Sequence, residues 1–262
     1  MTNPLLIAAT GMQAQQTRVS TIANNIANMS TTAYSARRAA FTDLMYQQEV
    51  TPGVLSSRSG TVVPGGIQIG LGARTAAVTA EQRQGALETT GGDLDVAIEG
   101  RGYFDVLLPS GEIAYTRDGR FSLSPEGEIV TTEGFAVSGG IAVPQQARSI
   151  RISAEGQVFA VFGDGTPPQD LGLIGLTTFA NEQGLEALGG NLFRETVASG
   201  QPLGGFAGTD GAGFMRQGFL EESSVDVVSE IAELIEAQRG YELNSKVMTA
   251  ADEMLAATTR IR

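Results

Sequence analysis

The first groups in this chain that could do chemistry are the carboxylates Glu99, Asp105, Glu112, Asp118 and Glu128. Two carboxyl groups held about 5 or 9 Å apart across a cleft can hydrolyse a glycoside. Nothing in the linear spacing brings two of these five face to face. Aromatic residues make up 6% of the chain and Trp is absent, so no platform for a sugar ring is evident. There is no His and no Cys. That excludes the usual zinc ligand sets and the Ser-His and Cys-His nucleophilic schemes. Gly70-Leu71-Gly72 opens like a phosphate loop, but Thr75 stands where the third glycine of G-x-G-x-x-G belongs. The only lysine, Lys246, follows no glycine-rich turn. Pairs such as Asp118-Gly119 and Glu155-Gly156 lack the spacing of a calcium loop and read as turns. No catalytic residue, cofactor or metal is expected; a carboxylate hydrolase remains as the enzymatic alternative.

Composition narrows the partners. The 262 residues carry a net charge of −12, which disfavours nucleic acid as a ligand. Thirty-four glycines call for many tight turns. Without cysteine there are no disulfides, so stability must come from packing and assembly. No apolar run reaches the roughly 18 residues of a membrane span. The N-terminus has no basic segment before its short apolar run, so a cleaved leader is not expected.

Two amphipathic helices are expected to position whatever function there is. In the N-terminal one, Leu5, Met12, Val19 and Ile26 recur every seven residues, with Ala8, Gln15, Ile22 and Met29 as companions. Asn3 and Pro4 suit its start. Asn24, Asn25 and Asn28 are weak helix formers within it. Asn24 and Asn28 point away from the apolar stripe, either as a solvated face or as amides for a second surface. In the C-terminal helix, expected over about 225–260, Val227, Leu234, Tyr241, Met248 and Leu255 repeat every seven residues, with Ile231 beside them. Ser223 and Asp226 resemble a capping box at its start. Gly240 costs about 1 kcal/mol in a helix interior and should mark a close contact or bend. The acidic series Asp226, Glu230, Glu233, Glu236 reads as a solvated face.

Between the helices the sequence reads as β. Turn signals such as Ser110-Gly111, Glu126-Gly127 and Gly139-Gly140 punctuate short apolar runs, predicting an antiparallel domain of short strands. The glycine-rich stretch 200–213 is predicted to be loop. Residues 45–72 form an arm or hairpin without a core of its own, with Pro52, Val62, Val63, Pro64, Ile67 and Ile69 as stiffening and anchoring positions. The expected class is α+β: paired end helices of coiled-coil type with an all-β domain inserted. The expected organisation is an N-terminal helix in 1–35, a connector with the arm in 36–94, a β domain in 95–221 and a C-terminal helix in 222–262.

Four motifs, in order, carry a resemblance. Ile22 to Thr31 (IANNIANMST) and Gln238 to Lys246 (QRGYELNSK) resemble the terminal signatures of bacterial flagellar rod and hook proteins. Asp95 to Phe104 and Tyr115 to Gly119 resemble that family's core motifs. Within the family, the length and the 47–72 segment resemble subunits of the distal rod; subunits of the proximal rod or hook are the alternative. Gly240 departs from the family's usual alanine, and Ala33-Tyr34 from its Gly-aromatic pair. The resemblance implies a homopolymeric tube spanning the periplasm, a stiff shaft that transmits torque. It implies proximal rod and hook proteins at the ends, L- and P-ring proteins around it and delivery by the flagellar export apparatus. No small-molecule substrate and no nucleic acid are implied. The implied subunit interface comprises the seam residues Leu5, Met12, Val19, Ile22, Ile26, Val227, Ile231, Leu234, Tyr241, Met248 and Leu255, with Asn24, Asn25 and Asn28.

Overall fold

The computed structural model describes residues 3–50, 65–163, 166–209 and 211–260. The class is α+β: one helix near each end of the chain and a β-rich region between them. The chain divides into two compact units. The first holds Met1–Ala27, Arg37–Ala80 and Asp226–Arg262; the second holds Asn28–Ala36 and Glu81–Val225. Charge divides unevenly between them. The first unit has nine acidic and nine basic residues, the second twenty acidic and eight basic, so the net −12 belongs entirely to the second.

In the first unit, α1 (Asn3–Ala27) holds five Ala and three Gln, good helix formers, and carries a single charge, Arg18. It stops where Thr31 N–H bonds back to the Asn28 carbonyl. The second helix, α2 (Val227–Arg260), starts two residues later than the sequence pattern suggests. Its cap is Asp226, whose Oδ1 accepts from Val228 N at 3.0 Å and Ser229 N at 3.4 Å. Ser223 is not the cap.

Four strands complete this unit: β1 (Arg37–Asp43), β2 (Tyr46–Val50), β3 (Ile67–Gly70) and β4 (Ala73–Ala80). Pairing runs from Arg37↔Ala80 through Asp43↔Ala73, then from Tyr46↔Gly70 to Val50↔Ile67. Between the two ladders, Leu44 N bonds to Gly72 O and Leu71 N to Met45 O. The result is one continuous antiparallel ribbon beginning at Arg37 and Ala80, well before the arm expected at Met45. Bulges at Ala40/Phe41 and Gln48/Val50 twist it. Its core-less character is resolved by α1. Gly72 has φ +111°, and a Cβ there would collide with Thr10 Oγ1. Gly70-Leu71-Gly72 is therefore a close backbone approach to a helix, not a phosphate cradle. Pro52, Val62, Val63 and Pro64 lie outside the described residues.

In the second unit the central strand is β7 (Tyr103–Leu107), after β5 (Leu87–Thr89) and β6 (Val96–Glu99). One edge of β7 pairs with β8 (Ile113–Thr116). The other is shared: Leu176–Thr178 takes Tyr103 and Phe104, and Ala136–Val137 takes Val106 and Leu107. Leu203–Gly205 pairs with Leu176–Thr178, so the stretch expected as loop contributes a strand. Phe104, Ile98, Val158, Ile174 and Leu176 are fully buried at the centre of the core.

The segments that leave this unit are tied together by backbone bonds. Ala33 N donates to Glu221 O, Ser224 N to Tyr34 O and Glu222 N to Ala86 O. Glu221 also takes the Arg117 guanidinium on Oε2 through both Nε and Nη2, at 3.0 and 2.9 Å. Ala33 holds φ +56°, a left-handed conformation that favours glycine.

Candidate assembly surface on the end helices

The two helices of the first unit run antiparallel, and their contact is built from small and amide side chains. A Cβ on Gly11 would meet Asn244 at 3.0 to 3.1 Å, and a Cβ on Gly240 would meet Gln15 at 3.1 to 3.4 Å. Each helix thus offers a glycine to the partner's amide, and on each helix the glycine and the amide are four residues apart. The close contact expected at Gly240 is present. The buried apolar positions are Ala8, Ala14 and Ile22 on α1 and Ala237 and Ala251 on α2. Small residues let helix axes approach closely, since axial distance follows the side chains at the contact.

The large apolar residues flank this line. Leu5, Met12, Val19 and Ile26 are half-buried, as are Val227, Leu234, Met248 and Leu255, while Ile22 is buried. Ile231 and Tyr241 are 47% and 46% exposed. Further round α2, Val228, Ile235, Leu243, Val247 and Met254 are exposed as well. Ile67 of the ribbon is exposed and Ile69 half-buried. The seven-residue pattern of large side chains misses Glu230, Ala237, Asn244 and Ala251, which share the same spacing and face α1.

Asn24 is exposed and Asn28 half-buried; the middle member of the trio behaves differently. Asn25 is 1% exposed. Its Oδ1 accepts from Arg37 N at 2.9 Å and its Nδ2 donates to Arg37 O at 2.9 Å. The same Nδ2 donates to Glu230 Oε1 at 3.1 Å. Glu230 is accordingly buried, and the expectation of a fully solvated acidic face fails there because Asn25 supplies a donor. The rest of that series is half-buried or exposed: Arg18 reaches Glu236 at 3.1 Å and Glu233 at 3.5 Å, and Arg38 reaches Glu233 at 3.1 Å.

The carboxylates that opened the enzymatic question have separate surroundings. Glu99 pairs with Arg216 at 2.7 Å. Asp118 accepts from Arg120 N, and burial raises its pKa above the ordinary carboxylate value. Asp105 sits in β7 opposite Tyr115. Its carboxyl is pushed up by burial, with Thr177 partly offsetting that as a hydrogen-bond donor. The Tyr115 hydroxyl is pushed up to about 12, first by burial and then by Glu195 and Asp105. Asp105 and Tyr115 are thus strand residues whose ionisation burial disfavours. Among the described residues no group of three or more acidic side chains could hold a metal.

Comparison with known proteins gives a consistent pattern along the chain. Residues 5–34 match the family description "Flagella basal body rod protein", and residues 97–160 match "Flagellar hook protein FlgE/F/G D1 domain". Residues 216–261 match "Flagellar basal body rod FlgEFG protein C-terminal". The flagellar basal-body rod protein FlgG of Caulobacter vibrioides is 50% identical over 259 residues, covering 98% of each chain. That of Borreliella burgdorferi is 42% identical over 264 residues, covering 100% of this chain and 99% of its own. That of Bacillus subtilis is 38% identical across the whole of both chains.

Proposed function

The chain belongs to the flagellar basal-body rod protein family and is a structural subunit of the distal rod, and we propose that it works by polymerising through its paired end helices into a stiff helical tube. The observation that carries this reading is the division of labour on the helices. Alanine and glycine hold α1 to α2, leaving large apolar residues such as Ile231, Tyr241, Leu243 and Met254 uncovered. Exposed apolar side chains on both flanks of a 34-residue helix need partners. Further copies of the same helix pair supply them, with coiled-coil-type packing between subunits.

The interface then comprises Leu5, Met12, Val19, Ile22, Ile26, Val227, Ile231, Leu234, Tyr241, Met248 and Leu255. Asn24 and Asn28 turn towards neighbouring copies, while Asn25 keeps the helix end in shape. The ribbon, with Pro52, Val62, Val63, Pro64, Ile67 and Ile69, braces one subunit against the next and resists sliding along the axis. In this role the tube transmits torque and has no catalytic task. It meets proximal rod and hook proteins at its ends and ring proteins around it. It spans the periplasm after export through the flagellar apparatus without a cleaved leader. Electron microscopy of the purified chain over a concentration series tests the reading: straight filaments are expected above a threshold concentration. A chain that stays monomeric at every concentration and salt would overturn it.

A further inference from the structure

A tube grown from one kind of subunit needs two different complementary surfaces on each copy, because its contacts run head to tail. One end of the helix pair carries a groove of about 220 Å³. Arg18, Arg37, Arg38 and Glu233 line it, with Ile22 and Phe41 as apolar parts of the wall. Glu230 is the only other carboxylate there, so the lining has three guanidinium groups against two carboxylates. Arg18 and Arg38 are engaged with Glu233. Arg37 makes no ion pair among the described residues; its bonds to Asn25 use the backbone. The groove therefore suits an occupant that is acidic and apolar at once.

Among the described residues, the helices of the first unit present one such projection. Asp252, Glu253 and Met254 are consecutive and exposed, Met254 at 63%. One helical turn to either side stand Met248, Thr249, Ala256 and Ala257, none of them cationic. The other exposed acidic positions on α2 are already served. Glu236 pairs with Arg18, Asp226 caps the helix, and Glu242 lies one turn from both Arg239 and Lys246. The projection cannot fill the groove of its own chain. Asp252 lies nineteen residues beyond Glu233 on the same helix, which is roughly 28 Å of rise.

We propose that Asp252 and Glu253 of one copy dock against Arg37 in the groove of the next, with Met254 covering Phe41. This rests on the tube reading and adds to it the residues of one head-to-tail contact. The chain has no cysteine, so engineered pairs report cleanly. Arg37→Cys combined with Glu253→Cys, oxidised after assembly, is expected to give a covalent ladder longer than dimers, while each single variant stops at the dimer. Arg37→Glu should raise the critical concentration for assembly about tenfold, and so should Asp252→Arg with Glu253→Arg; the combined reversal should return to within about threefold of wild type. Dilute circular dichroism matching wild type excludes misfolding as the cause. A wild-type chain that never polymerises overturns the tube and this contact together. A polymer that ignores both reversals, or that forms no ladder from the cysteine pair, overturns the contact alone.

Discussion

Asn25 and Glu230 meet across the two end helices at 3.1 Å, and the same amide closes both backbone groups of Arg37. One side chain thus joins α1, α2 and the first residue of the ribbon. Asn25→Ala strands two backbone groups and removes a donor from a buried carboxylate. It should destabilise the helix pair by roughly 3 kcal/mol. Hydrogen exchange of α2 amides should show the loss. Unchanged protection around Glu230 would mean the bridge contributes little.

Ile231 and Tyr241 distinguish folding from assembly. Both are about half exposed in the single subunit. Ile231→Asp and Tyr241→Asp should therefore leave the melting temperature within about 2 °C of wild type while abolishing filaments, since burying an unpaired charge between copies costs several kcal/mol. Normal filaments from either variant would remove that residue from the interface.

Gly240 and Gly72 should respond oppositely to an added methyl. Gly240→Ala needs only the end of Gln15 to move and gains about 1 kcal/mol of helix propensity. Gly72→Ala meets Thr10 Oγ1 at a φ of +111° and should cost at least about 2 kcal/mol. Thermal unfolding of both variants makes the comparison; a Gly72→Ala protein as stable as wild type would refute the close approach of the ribbon to α1.

Burial of Asp105 gives a pH slope with a definite sign. Its folded pKa lies above the ordinary 3.8, so between those two values the folded chain holds a proton that the unfolded chain has released. Stability from this group therefore falls as pH rises through that window and stays lower above it. Asp105→Asn should flatten the slope and stabilise the neutral protein by about 1 kcal/mol. Denaturant titrations at acidic and neutral pH measure both effects.

For the ribbon, the register gives a better variant than a simple deletion. Val50 pairs with Ile67, so joining them directly would leave no residues to reverse the chain. Replacing residues 51–66 by an Asn-Gly pair keeps the ladder closed. The expected product is a folded, assembling subunit that forms curved rods. Straight rods would assign residues 51–66 to some role other than stiffening.

The sequence made the helices readable because large apolar residues recur at seven, and it made the β region readable because glycine marks its turns. It hid the helix contact. Ala237, Ala251, Gly11 and Gly240 carry almost no hydrophobic signal, yet their smallness is what lets the helices touch. It also hid Asn25. A helical wheel separates Asn24 and Asn28 from the apolar stripe, but it cannot foresee that β1 returns to cover Asn25. The ribbon's true base escaped for a similar reason: Arg37–Asp43 has no strong alternation, and only its partner Ala73–Ala80 defines it.

The unequal charge of the two units makes the growing polymer a polyelectrolyte. The first unit is electrically neutral, whereas every added copy brings a net charge of −12 on the second. That charge accumulates along the axis and gathers a cloud of cations whose confinement opposes elongation. Salt relieves the opposition as the screening length shrinks from about 30 Å at 0.01 M to about 8 Å at physiological ionic strength. If the chain polymerises as proposed, added salt is expected to ease the repulsion between the second units of successive copies, and very dilute buffer to raise the concentration at which filaments appear.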